Sequence, residues 1–117
     1  MGREEINMIA TAWNNGKKSP TGGGYGLKIK VKDRDRVFDR KWKTVILCLT
    51  AYKSCRVAEV NVSKASFWDA TCLELISTEI GKWFIECGFA PWTKGAPPKF
   101  QLKYIGERKF QVELNLD

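Results

Sequence analysis

The chain has 117 residues, the size of one domain (residues 1–117), and is long enough to bury a core without disulfide or metal staples. Its formal charge is +7, it contains no histidine, and none of its four cysteines stands in a Cys-x-x-Cys pair, so serine–histidine and cysteine–histidine nucleophile pairs and histidine-held metals are excluded. No apolar run approaches the roughly 18 residues of a membrane span and the start is no signal peptide, which predicts a cytoplasmic protein with no membrane partner. In that setting Cys48, Cys55, Cys72 and Cys87 read as buried, reduced thiols.

Residues 5–13 alternate Ile6, Met8, Ala10 and Ala12 against Asn7, Ile9 and Thr11, which predicts a half-buried strand. Residues 14–24 form a loop with three successive glycines. It lacks the G-x-x-x-x-G-K-[ST] order and precedes a strand, so it is no phosphate-cradling P-loop; a flexible connector carrying Lys17 and Lys18 is the favoured reading. Residues 25–32 predict a strand with Leu27, Ile29 and Val31 on one face and Lys28, Lys30 and Lys32 on the other, their ammonium groups roughly 7 Å apart. Residues 33–41 alternate in sign and read as a short helical turn or a compact loop projecting arginines. Residues 42–50 carry the apolar run Val45 to Leu49 of a buried central strand; a loop around 52–54 and a strand over 56–62 follow.

Residues 63–70 read as a loop in which Phe67 and Trp68 anchor to the core or stack on bases, the anchor being favoured. Residues 71–87 predict the main helix, with Thr71 and Glu74 as a capping box, Leu73, Ile76, Ile80, Trp83, Phe84 and Cys87 on its apolar face, and Gly88 as its stop; residues 78–87 are its firmest part. A proline-rich turn over 89–98 leads into a closing hairpin, 99–105 and 109–116. The sum is an α+β fold, a small curled sheet or open pseudobarrel of about six to seven strands with one main amphipathic helix.

The charge is unevenly placed. Between Lys17 and Lys43 stand ten cations (Lys17, Lys18, Lys28, Lys30, Lys32, Arg34, Arg36, Arg40, Lys41 and Lys43) and three anions (Asp33, Asp35 and Asp39), while the rest of the chain carries ten of each. A positive field concentrated this way attracts phosphate backbones, so a nucleic-acid-binding module is the leading expectation. An inhibitor or adaptor docking its basic face on an acidic protein is the alternative, and a small metal-dependent nuclease using Asp33, Asp35 or Asp39 is a third; the flanking arginines disfavour the last. No catalytic residue, metal or cofactor is expected.

The order of strand, basic arm with helical turn, two strands, helix and closing strands resembles the pseudobarrel DNA-binding domains of plant transcription factors (the B-three type) and restriction-enzyme effector domains. The matching stretch is 79–95, with Trp83 and Phe84 as the aromatic pair and Gly88-Phe89 at the turn; Lys94-Gly95 stands where the family has Gly-Asp, so the acidic residue is missing. The resemblance implies a two-armed grip on duplex DNA, favoured over RNA. The first arm would be Lys32, Arg34, Arg36, Arg40, Lys41 and Lys43, and the second would lie near 63–68 with Lys64 and Ser66 as contacts. Lysines would neutralise the backbone and arginines reach base edges. Replacing Arg34, Arg36 and Arg40 by alanine is then expected to weaken binding and leave folding intact.

Overall fold

Alternation of apolar residues builds the sheet, and strand register lines them up into one interior. In the computed structural model, which describes residues 6–51, 54–69 and 71–115, the strands are β1 (Asn7–Asn14), β2 (Tyr25–Lys28), β3 (Thr44–Ala51), β4 (Ser54–Asn61), β5 (Glu74–Ile76), β6 (Lys99–Gly106) and β7 (Lys109–Leu114). The helices are α1 (Val31–Val37), α2 (Ala65–Trp68) and α3 (Thr78–Glu86). All seven strands form one sheet in the order β4-β3-β7-β6-β1-β2-β5, with β3 and β7 parallel and the other pairs antiparallel.

The paired positions Val60–Val45, Leu47–Phe110, Val112–Leu102, Leu102–Met8, Ala12–Leu27 and Leu27–Leu75 are all buried, so the inward rows of neighbouring strands meet around the curl. A slip of one residue in any pair would turn its apolar row outward, and this fixes the register. The sheet is nearly closed into a barrel with one unsealed seam, between the end strands β4 and β5.

Helix α3 covers the region of that seam. Ser77 caps it by accepting from the Glu79 amide at 3.1 Å, and Gly88, at φ +76°, ends it. Ile80, Trp83 and Phe84 are fully buried, and Phe84 stacks on Phe100 of β6 with ring centroids 5.5 Å apart. Burying a side chain of this size contributes roughly 1.5–3 kcal/mol. Gly81 sits mid-helix because the β1–β2 loop presses against it: a Cβ there would lie 1.9 Å from the Gly22 carbonyl oxygen.

The structure departs from the sequence expectations at four places. The strand expected over 25–32 ends at Lys28, and α1 begins at Val31. Ile29 is still tied to the Leu73 carbonyl, but Val31 turns outward and is 43% exposed. The row of three lysines on one strand face is therefore absent; Lys30 is the N-cap of α1 and Lys32 lies within it. The first turns expected for the main helix are instead strand β5, since the edge of β2 needs backbone partners and Leu75 pairs with Leu27 there; the cap is Ser77, not Thr71. The glycine loop is no loose connector, for Asn15 donates to the Gly24 carbonyl and Ser19 to that of Gly23. None of the cysteines is fully buried: Cys55 is exposed and the other three are half-buried. Of the loop expected around 52–54, residues 52 and 53 lie outside the described residues.

Candidate nucleic-acid interface

Connections α1 (β2 to β3) and α2 (β4 to β5) both lie at one end of the barrel, because β2 and β5 are antiparallel neighbours and α2 leads directly into β5. Aromatic rings plug this end. Phe38 stacks on Phe110 at 5.3 Å and meets Phe67 edge-on at 5.5 Å, and Trp42 stacks on Tyr104 at 5.9 Å. Phe67 is completely buried, as the anchor reading required.

Trp68 joins the two connections. Its indole N–H donates to the Val62 carbonyl at 2.8 Å, which fixes the ring. The guanidinium carbons of Arg34 and Arg40 lie 5.1 and 4.9 Å from its ring centroid, both within cation–π range. Arg34 also donates to the Phe67 carbonyl at 2.6 Å and to Asp35 at 2.8 Å, and it is only 6% exposed. Arg34 is thus an internal strut between α1 and α2 and not an outward-reaching arm, which argues against its removal leaving folding intact. Arg36 donates to Asp33 at 3.0 Å and to the Asn7 carbonyl at 2.9 Å, pinning α1 to β1, yet half of its side chain remains exposed. The basic last turn of α1 also complements the negative end of that helix.

Around this joint Lys30, Lys32, Arg40, Lys41 and Lys43 are exposed and make no ion pair with any described residue. Lys28 is exposed with Glu74 4.0 Å away. Lys64 is half-buried and donates to the Cys72 sulfur at 3.3 Å, while the Cys72 thiol donates to Glu74 at 3.2 Å. Ser66 is half-buried; its carbonyl accepts from the Cys72 amide at 2.9 Å. Beside it, the Asp69 carboxyl is held below the usual aspartate range, first by the Thr71 hydroxyl and then by the Thr71 amide.

Lys17 and Lys18 stand apart. They are exposed in the β1–β2 loop, at the α3 end of the barrel, across the length of β2 from α1. The carboxylates proposed for a nuclease are engaged separately: Asp33 with Arg36, Asp35 with Arg34, and Asp39 with the Lys41 amide at 2.8 Å. Among the described residues no group of three or more metal-ligating side chains is assembled, and no helix is long and apolar enough to cross a membrane.

Sequence reasoning missed the role of Trp68 as a platform for two arginines. The signal was an aromatic pair, Phe67 and Trp68, in one segment and closely spaced arginines in another, but only the fold brings them together. It also missed Arg108, exposed in the β6–β7 turn at the same end, whose carbonyl accepts from the Ile46 amide. No known protein family, no curated protein and no solved structure matches the chain.

Proposed function

We propose that the protein is a nucleic-acid-binding module that holds duplex DNA against the α1–α2 end of its barrel. The observation that carries this reading is the Trp68 joint: it locks together two connections, and the one that holds α1 carries five exposed cations that pair with no described carboxylate. Unpaired ammonium groups near one another release counterions when they meet phosphates, which supplies affinity and makes it salt-dependent. Lys30, Lys32, Lys41 and Lys43 act on the phosphate backbone, and Arg40, stacked on Trp68, is the arginine best placed to reach a base edge. Lys28, Arg36, Lys64 and Ser66 flank them. The resemblance to the B-three type domains supports duplex DNA over RNA.

The test is a shift assay of the full chain with duplex DNA, single-stranded DNA and RNA at two salt concentrations. Duplex binding that weakens steeply as salt rises is expected. Capture of an acidic protein with no binding to any nucleic acid would move the same cations to the adaptor reading, and magnesium-dependent cleavage lost on Asp33→Asn with Asp35→Asn would move the site to the nuclease reading.

A further inference from the structure

A cavity of about 340 Å³ opens at the other end of the barrel, between the β1–β2 loop and the segment linking α3 to β6. Its walls combine two lysines, Lys18 and Lys94, with the side chains of Tyr25, Trp92 and Asn14, and among the described residues no carboxylate lines it. We propose that this cavity binds a nucleoside monophosphate, with the phosphate between the two ammonium groups and the base against Trp92. The inference is independent of the α1–α2 reading, since it uses none of the same residues.

Lys18 and Lys94 come from separate loops, are exposed, and make no ion pair with any described residue. Both loops are tied down. Gly24 adopts φ +82° where a Cβ would strike Asn15 Oδ1 at 2.7 Å and the Lys18 Cα at 3.0 Å, and Ala96 donates to the Thr93 carbonyl at 2.9 Å beside Lys94. Two exposed cations lining one small cavity give it a positive potential that favours an anion. Trp92 supplies an aromatic wall; its ring is held edge-on by Tyr25 at 6.1 Å and Phe84 at 5.9 Å, so it is positioned without a ligand.

The polar groups distinguish a nucleobase from a plain aromatic ring. Tyr25 is only 5% exposed, yet its hydroxyl makes no hydrogen bond to any described residue while the side chain lines the cavity. A hydroxyl that opens on the cavity gains about 0.5–1.5 kcal/mol from a hydrogen bond to a ligand atom. Asn14 Oδ1 is occupied by the Gly16 amide at 3.0 Å, so the Nδ2 hydrogens remain for an acceptor. A donor–acceptor hydroxyl and an amide donor suit the heteroatom edge of a base. The volume lies at the small end of ligand sites, roughly 300–1,000 Å³, which fits one nucleotide better than a dinucleotide.

The test is an amide and indole NMR titration of the full chain with AMP, GMP, CMP and UMP, against adenosine, inorganic phosphate and phenyl phosphate. Saturable shifts confined to Asn14, Lys18, Trp92 and Lys94 are expected, with at least one nucleotide binding about tenfold or more tightly than any control. Lys18→Ala with Lys94→Ala should lose about tenfold in that affinity with an unchanged thermal midpoint. Tyr25→Phe, which keeps the ring packing, should weaken the nucleotide and leave phosphate unaffected. A short strand with a 5′-phosphate, compared with its 5′-hydroxyl form, separates a terminal nucleotide from a free one. No shift at these residues, or equal response to phosphate alone or to adenosine alone, overturns the proposal. Shifts confined to the α1–α2 end also overturn it while leaving the duplex reading intact.

Discussion

At the α3 end, Arg56 of β4 divides its guanidinium between Glu79 at 2.7 Å and Glu86 at 2.6 Å and so joins both carboxylates of that helix to the seam, while Lys82 approaches Glu79 at 3.3 Å within the helix. At the α1–α2 end the fold uses two arginines, Arg34 and Arg36, in the same way, and leaves five further cations exposed there with no carboxylate partner among the described residues. The same residue types serve as mortar where α3 meets β4 and as open surface along α1 and the connection that follows it. Net charge alone does not separate these uses. The presence or absence of a facing carboxylate does, and the functional weight of a cation should follow from it.

The sharpest way to break the contrast is at its structural end. Gly81→Ala in an ordinary helix interior stabilises by about 1 kcal/mol. Here the added Cβ would meet the Gly22 carbonyl at 1.9 Å, so the sign should reverse and the variant should lose on the order of 3–4 kcal/mol in urea denaturation. A stabilised variant would mean that the β1–β2 loop does not rest on α3. At the open end, replacing Lys30, Lys32, Lys41 and Lys43 together by alanine should leave stability within about 0.5 kcal/mol and weaken duplex binding by roughly a hundredfold. The slope of log affinity against log salt should become shallower by about 0.9 for each phosphate that is no longer neutralised. Unchanged affinity would remove the proposed face.

Trp68 lies on the boundary between the two uses, and its truncation should show both effects in smaller measure. Trp68→Ala removes the hydrogen bond to Val62 and the ring beneath both guanidinium groups. A loss of about 2 kcal/mol in stability and about tenfold in duplex affinity is expected, with Trp68→Phe recovering part of each. Arg34→Ala should behave as a folding defect, measured by denaturation, because it leaves the Phe67 carbonyl and Asp35 without their partner.

How far the sequence discloses this arrangement depends on the kind of signal. Period-two alternation, together with the continuous apolar run Val45 to Leu49 for β3, locates six of the seven strands within a few residues, because burial leaves its mark in a strand's own residues: Met8, Ala10 and Ala12, or Phe100 and Leu102. Strand β5 is hidden because three residues, Glu74 to Ile76, carry no period of their own, and Leu73, Ile76 and Ile80 happen to suit a helix. The break at Lys28 is hidden likewise, since Val31 continues the alternation that Leu27 and Ile29 begin. The concentration of cations is readable, but their division into struts and free groups is not. Arg34 and Arg40 look equivalent in the chain; one is buried against the Phe67 carbonyl and the other is open, because Phe67 and Trp68 arrive from a distant part of the chain. Pairing partners far apart in sequence decide the matter, and no local pattern encodes them.

The smallest expected effect tests the engaged charges directly. Arg56, and after it Lys82, holds the Glu79 carboxyl below glutamate's ordinary value of 4.5. A carboxyl depressed in the folded state binds its proton more readily once unfolded, so its contribution is complete above that ordinary value and disappears as pH falls through the lower, folded one. Arg56→Gln should therefore reduce stability modestly at about pH 7, and the difference from the parent chain should shrink on the way to about pH 3. Asp69 is depressed as well, through Thr71, and is untouched by this substitution, so both proteins should keep a common acid sensitivity beneath the difference. A parent and variant whose denaturation curves stay parallel across the whole range would show that Arg56 does not hold Glu79 ionised. The cover over the seam would then rest chiefly on the packing of Ile80, Trp83 and Phe84.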